Sequence, residues 1–297
     1  MSVTSKSPKK VLLAALHVAR LSLSQYSHKN SPKKFSQHQL FACLVLKNFL
    51  KTDYRGVIEY LNDCPELCET IELNRVPHYT TLQKAAKRLL LSQSVSRLLN
   101  ATIQLHLGQR KRVADSAIDS TGLSSTCASA YFVKRRSMKG KPAKNMFYHT
   151  FPKLSLVSEL GTHFVIAFKA GKGPRPDIDE FKPLINQAHQ RARPKRIVAD
   201  AGYDSESNHR HAREELNIKT VIPPKHGRPT NKPAKGRYRR LMQTRFNQKV
   251  YSQRSQIETV MSMIKRRQGA FCKGKSHWSR CRELNLMVLT HNIMILF

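Results

Sequence analysis

Three carboxylates stand out by where they lie. Asp119 follows Ala117-Ile118 at the end of a short apolar run, and Asp200 follows Val198-Ala199 at the end of another. Glu258 is the one acid in the 67 residues from 216 to 282, which carry 18 Lys and Arg. A surface that binds phosphates sheds acids, because each repels the ligand. A Glu kept in such a field balances an adjacent Arg or holds a metal cation. Strand-end carboxylates on neighbouring strands, joined by a Glu from a helix laid across them, make an all-oxygen pocket suited to Mg2+ or Mn2+. Two such ions about 3.5–4 Å apart hold both the attacking and the leaving oxygen of phosphodiester hydrolysis or exchange.

The segment around Glu258 extends this. Ile257, Val260, Met261 and Ile264 mark an apolar helical stripe, and Glu258 lies about 100° round from Ile257, at its edge. Tyr251, Glu258 and Lys265 are spaced by seven and share a face, with Arg254 four residues before Glu258. The carboxylate then reaches into a site on the sheet while the cations grip a polyanion. Asp115, four residues before Asp119 on the same strand face, competes with it as a ligand. Asp177 reads as the N-cap of a capping box with Glu180, and Asp204 as a cap or turn residue before a helix at Ser205. Trp278 and His291 read as structural.

The elements that must position these groups fall into two parts. Residues 1–108 read as helical. Val11 to Ala19 fits an amphipathic helix, Ser36 with Gln39 a capping box, Tyr54 to Leu61 a helix, and Thr80 with Gln83 a second box. Lys84, Lys87 and Arg88 lie off the apolar stripe that follows. From 109 onward, strands are expected near 113–119, 147–157, 163–170, 196–199 and 220–222, with a hairpin at Gly161. Helices are expected behind Phe181, from Ser205 to Leu216, from Tyr251 to Lys265, and from Leu284 onward, with a basic loop over 223–249. Three leading strands followed by strand–helix alternation predict an α/β fold, a mixed five-stranded sheet flanked by helices.

Composition narrows the function. The 297 residues carry 53 Lys and Arg against 19 Asp and Glu, a formal charge of +34, which points to a polyanionic partner, most often nucleic acid. No apolar run reaches the 18 residues of a membrane span. Six scattered cysteines are too few for a disulfide scaffold, and Cys64 and Cys68 lack a second pair to complete a zinc site. The expectation is a reduced, cytoplasmic, nucleoid-associated protein.

The combined pattern resembles the DDE transposases of bacterial insertion sequences. Ala117-Ile118-Asp119-Ser120-Thr121 is similar to the first-Asp strand of that family, and Val198-Ala199-Asp200-Ala201-Gly202-Tyr203-Asp204 to its second-Asp motif. Tyr251, Arg254, Glu258 and Lys265 match its Tyr-x2-Arg-x3-Glu-x6-Lys signature, and Gly173 to Leu184 resembles the segment between the Asp motifs. The helical front, with Tyr79-Thr80-Thr81-Leu82, is similar to its terminal-inverted-repeat binding domains. The resemblance implies a ribonuclease H-like catalytic domain over 109–297 behind an N-terminal all-helical DNA-binding domain. It implies that Asp119, Asp200 and Glu258 are catalytic and coordinate two Mg2+ or Mn2+ ions. Water would attack the phosphodiester at an element end, and the freed 3′-hydroxyl would attack target DNA. Arg254 and Lys265 would contact DNA phosphates, with Tyr251 beside them. The implied partners are double-stranded element ends and target DNA, in a complex holding at least a homodimer.

Competing classes are a ribonuclease H-like nuclease that cuts without joining, a DNA-binding relative without chemistry, and a basic structural protein. The last has no need of isolated carboxylates at strand ends.

Overall fold

The computed structural model describes residues 4–110, 112–125, 151–224 and 233–296. The front is helical, as its capping signals require. Helix α1 (Pro8–Ser22) starts on Ser7, whose side chain accepts from the Lys10 N–H, with proline in the first turn where its missing N–H costs nothing. Helix α2 (Gln37–Phe49) opens with the full Ser36–Gln39 capping box. Helix α3 (Tyr54–Asp63) is capped by Asp53, which accepts from the Arg55 and Gly56 N–H groups. Helix α4 (Pro65–Thr70) is short. Helix α5 (Tyr79–Leu89) departs from expectation. It begins two residues early, with His78 as its N-cap, and no side chain caps it; the Thr80 hydroxyl bonds His78 Nδ1 at 2.8 Å instead. Helix α6 (Ser92–Leu107) closes the front. Cys43, Cys64, Cys68, Cys272 and Cys281 are free thiols.

The sheet holds β1 (Asp115–Gly122), β2 (Phe151–Glu159), β3 (Val165–Gly173), β4 (Arg196–Val198) and β5 (Lys219–Val221), in the order β3-β2-β1-β4-β5. Strands β1, β2 and β3 run antiparallel, with the expected hairpin at Gly161, whose φ of 90° suits glycine. Strand β4 lies parallel to β1, and β5 parallel to β4. This mixed five-stranded sheet is ribonuclease H-like. Consecutive residues such as Ala117-Ile118 and Ile197-Val198 are all buried, so both faces are covered.

Helix α7 (Phe181–Ala192) links β3 to β4 and packs on β2 and β3. Between β4 and β5 the polar helix expected from Ser205 is shorter: α8 (Glu206–Arg210) widens into a π turn, His211–Glu215. The expected basic loop contains a helix, α9 (Arg237–Thr244), because Glu206 holds its first N–H groups; residues 225–232 lie outside the described residues. Then come α10 (Gln248–Tyr251), a 3-10 turn at Ser252–Arg254, α11 (Ser255–Gln268) and α12 (His277–Ile295).

Helix α12 packs on both parts, against α1, α2, α5 and α6 of the front and β2 and β3 of the sheet. Asn292 fixes it. Its carboxamide accepts from the Val165 N–H at 3.0 Å and donates to the Val165 carbonyl at 2.8 Å and to Thr102 of α6 at 3.3 Å. One apolar core runs from Val11 through the sheet to Met294. His291 is buried as expected and donates to the His163 carbonyl, 2.9 Å away. Trp278, read as structural, is 71% exposed, because the first turn of α12 projects beyond the core.

Burial holds the His291 imidazole down to a pKa of about 4, against its hydrogen bond to the His163 carbonyl and with the charges of His163 and Arg267 adding to the fall. An unfolded chain takes up that proton near 6.5. The resulting stability is complete above pH 6.5 and is lost as pH falls toward 4, by up to roughly 3 kcal/mol. Thermal unfolding between pH 7 and 4.5 should show this slope, and His291→Gln should flatten it.

Candidate active site

Residues Asp119 and Asp200 stand at or near the ends of neighbouring parallel strands, and Glu258 stands on α11, which packs across β1. All three converge on Arg254. Its Nη2 stands 3.8 Å from Asp119 Oδ2 and 3.8 Å from Asp200 Oδ2, and its Nη1 bonds Glu258. The i,i+4 spacing that puts Arg254 beside Glu258 thus also carries the guanidinium over the strand ends. Asp119 is mostly buried, and that burial is the main cause that raises its pKa. The Asp200 and Asp177 charges add to the rise, against the Ser120 N–H and Arg254. The Ser120 N–H donates to Asp119 Oδ1 at 2.8 Å, and the Gly202 N–H to Asp200 Oδ1 at 2.8 Å. A Cβ on Gly202 would sit 2.9 Å from that oxygen, so a larger residue there would displace the Asp200 carboxylate. Asp115 stands apart, paired with Arg196 at 3.2 Å.

The other two signature residues are placed differently. Lys265 donates to Thr121 Oγ1 at 2.6 Å, which draws it over β1 two residues beyond Asp119 on the same face. Tyr251 packs on Phe246 (ring centroids 5.0 Å apart), and the 3-10 turn interrupts the continuous helix expected between it and Glu258.

A second shell of charges was not legible in the sequence. Asp177 is no N-cap: Pro176 holds that position, and Asp177 Oδ1 accepts from Ser120 Oγ at 2.6 Å and meets Lys153 Nζ at 2.7 Å. Lys153, on β2, is buried rather than offered to a ligand. Its ammonium also donates to the Arg175 carbonyl (2.7 Å) and lies 3.3 Å from Glu180. The available signal was a lysine next to Leu154 inside an apolar strand, because such a residue needs a buried acid partner.

Asp204 closes the turn before the helix through its N–H, as a turn residue would, but Ser205 is the helix N-cap. The Asp204 carboxylate is fully buried, 2.8 Å from Arg239 Nε and 3.3 Å from His209 Nε2. His209 Nδ1 contacts Thr220 Oγ1 at 2.6 Å, and Arg213 donates to the same hydroxyl and to the Thr220 carbonyl. This ties α8, α9 and β5 together behind the Asp200 turn. Tyr203, buried between, has its phenol pushed up by burial.

The donor set fits a hard divalent ion. It is all carboxylate oxygen, and Asp119 and Asp200 already share one cation at equal distance. Among the described residues no three His, Cys, Asp or Glu side chains form a ready cage, and the Arg254 guanidinium lies among the three acids. Replacing Arg254 by Met leaves three acids facing each other unneutralised. Arg254→Met is expected to cost about 1–3 kcal/mol in metal-free, low-salt buffer, a loss that Mg2+ reverses in a melting experiment.

A family model described as a transposase DDE domain matches residues 114–293. The chain belongs to the DDE transposases. The match spans β1 to α12 and so takes in Asp119, Asp200 and Glu258. No match was found among curated proteins. Among solved structures, this transposase chain is similar to a piggyBac transposase synaptic complex with hairpin DNA, at 11% identity and a TM-score of 0.43, over 98% of this chain and 73% of the other. It is more remotely similar to a pre-cleavage Mos1 transpososome, at 13% identity and a TM-score of 0.22, over 92% and 81%. No helix of the described transposase is long and apolar enough to cross a membrane.

Proposed function

We propose that this transposase acts as those of bacterial insertion sequences do: it binds the inverted-repeat ends of its element, cuts them, and joins them to target DNA. The observation that carries this reading is the convergence of Asp119, Asp200 and Glu258, from two strands and a crossing helix, on one shared cation. The three acids would hold two Mg2+ or Mn2+ ions, which lower the pKa of water and offset charge on the reacting phosphate. Burial raises the Asp119 pKa, so a cation beside it favours its charged form. Arg254, released from the acids, and Lys265, steered by Thr121, would donate to phosphate oxygens. Exposed Lys84 and Lys87 on α5 would grip the duplex, and two chains would hold two ends together.

The test uses DNA carrying the ends of the gene's own locus, with Mg2+ or Mn2+. Metal-dependent nicking and joining, lost in Glu258→Gln while DNA binding persists, is the expected result. Nicking without joining would favour a nuclease. Cleavage that survives in Glu258→Gln would overturn the site.

A further inference from the structure

A cavity of about 440 Å3 lies where the helical front meets the far end of the Glu258 helix. This is within the range of small-ligand sites, roughly 300–1,000 Å3, and larger than an inorganic phosphate needs. Its floor is apolar, built from Ala86, Leu90, Leu286 and Met287. Its wall is cationic: Lys47, Lys51, Lys87, Lys273, Lys275 and Arg282 outnumber the two acids, Asp53 and Glu283.

Both acids are engaged. Asp53 caps α3, and Glu283 accepts from the Lys273 N–H at 2.7 Å. Lys51 donates to the Arg266 carbonyl at 2.7 Å and so closes the last turn of α11. Lys47 lies over the Tyr54 ring, 5.0 Å from its centroid, and burial lowers its pKa. The deciding group is Gln268. It is 8% exposed, and its Oε1 accepts from Asn48 at 2.7 Å, yet its Nε2 has no hydrogen-bond partner. An unmet buried donor is costly, and this one lines a cavity with an excess of cations. A phosphate oxygen satisfies both, and the apolar floor beneath suits a base and sugar.

We infer that this cavity binds one nucleotide unit, with its phosphate on Lys47, Lys273 and Gln268 and its base against the Leu90–Leu286 floor. The unit is either a free nucleotide or a nucleotide within a bound DNA strand; only the second source rests on the transposase reading. The site is distinct from the three acids, since Gln268 lies ten residues after Glu258, about 15 Å along the helix.

Calorimetry on the full chain would titrate deoxyadenosine monophosphate, inorganic phosphate and deoxyadenosine in turn. The expected result is saturable 1:1 binding of the monophosphate, tighter than either half. Lys47→Met and Gln268→Leu should each weaken it about tenfold or more. Lys273→Gln, on the open side, serves where either variant melts early. A parallel arm compares a duplex bearing one unpaired nucleotide with a fully paired duplex. If free monophosphate does not bind, but the variants lose about tenfold for the unpaired duplex alone, the strand is the source. Equal binding of phosphate and monophosphate, binding indifferent to the variants, or no preference in either arm would overturn the proposal.

Discussion

Asp119→Asn is expected to lose DNA cleavage and joining by roughly a thousandfold or more, the scale of removing a group that acts on transition-state charge, and to gain stability. The two effects share one cause. Burial raises the Asp119 pKa in the folded chain, so ionising it at neutral pH works against folding. The sign follows from the direction of the shift. A carboxyl with a raised folded pKa favours the fold at low pH, and that contribution is lost as pH rises through the ordinary carboxylate range into the folded one. Asparagine removes the charge and keeps an oxygen for the Ser120 N–H. In metal-free buffer the variant should melt higher by about 0.5–2 kcal/mol. Mg2+ should then raise the melting point of the wild type and not of the variant, because only the wild type gains a ligand on folding. A variant that melts lower without metal, or that responds to Mg2+ as the wild type does, would remove Asp119 from the metal site.

Asp204→Ala should cause the largest loss of stability, about 2–4 kcal/mol, the cost of removing a fully buried carboxylate from a charged hydrogen-bond network. The Asp204 side chain has no solvent exposure, and its loss takes one acceptor from Arg239 and one from the buried His209 in one step. His209 then no longer positions Thr220, where β5 joins the sheet. Asp204→Asn keeps one acceptor and should lose less. Urea denaturation of both variants decides it: a loss below about 1 kcal/mol for alanine would mean that the cluster contributes little. The effect should extend to Asp200, because the Asp204 N–H closes the same turn on the Ala201 carbonyl at 3.2 Å.

These two residues also mark how far the sequence could be read. Asp119, Asp200 and Glu258 were legible because each breaks a local rule: an acid ending an apolar strand, or an acid alone among cations. The mixed sheet followed from element order, three leading strands and then alternation, while the strand order β3-β2-β1-β4-β5 came only from the structure. Asp204 and Asp177 were read without their distant partners for one reason. Each precedes a helix, where an acid is an ordinary cap, and nothing local shows that its partner lies far along the chain. Arg239 is 35 residues from Asp204, and Lys153 is 24 from Asp177. Tyr251 was placed by helical spacing alone, and spacing does not see the 3-10 turn after it. Gln268 was invisible too, since an unmet donor exists only once its neighbours are in place.

The packing of α12 on both parts has a consequence for synthesis. The 170 residues from Leu107 to His277 separate the last front helix from the element that covers its flank. At 5–20 residues per second, translation takes roughly 8–35 s to cross that interval. During that time α1, α2 and α6 emerge with apolar surface that nothing yet covers, and β3 lacks Asn292, which holds its Val165 backbone groups. The nascent chain therefore stays open to chaperones and proteases until α12 is made. A message cut short before that point yields a product without a closed core, however intact the strand that carries Asp119.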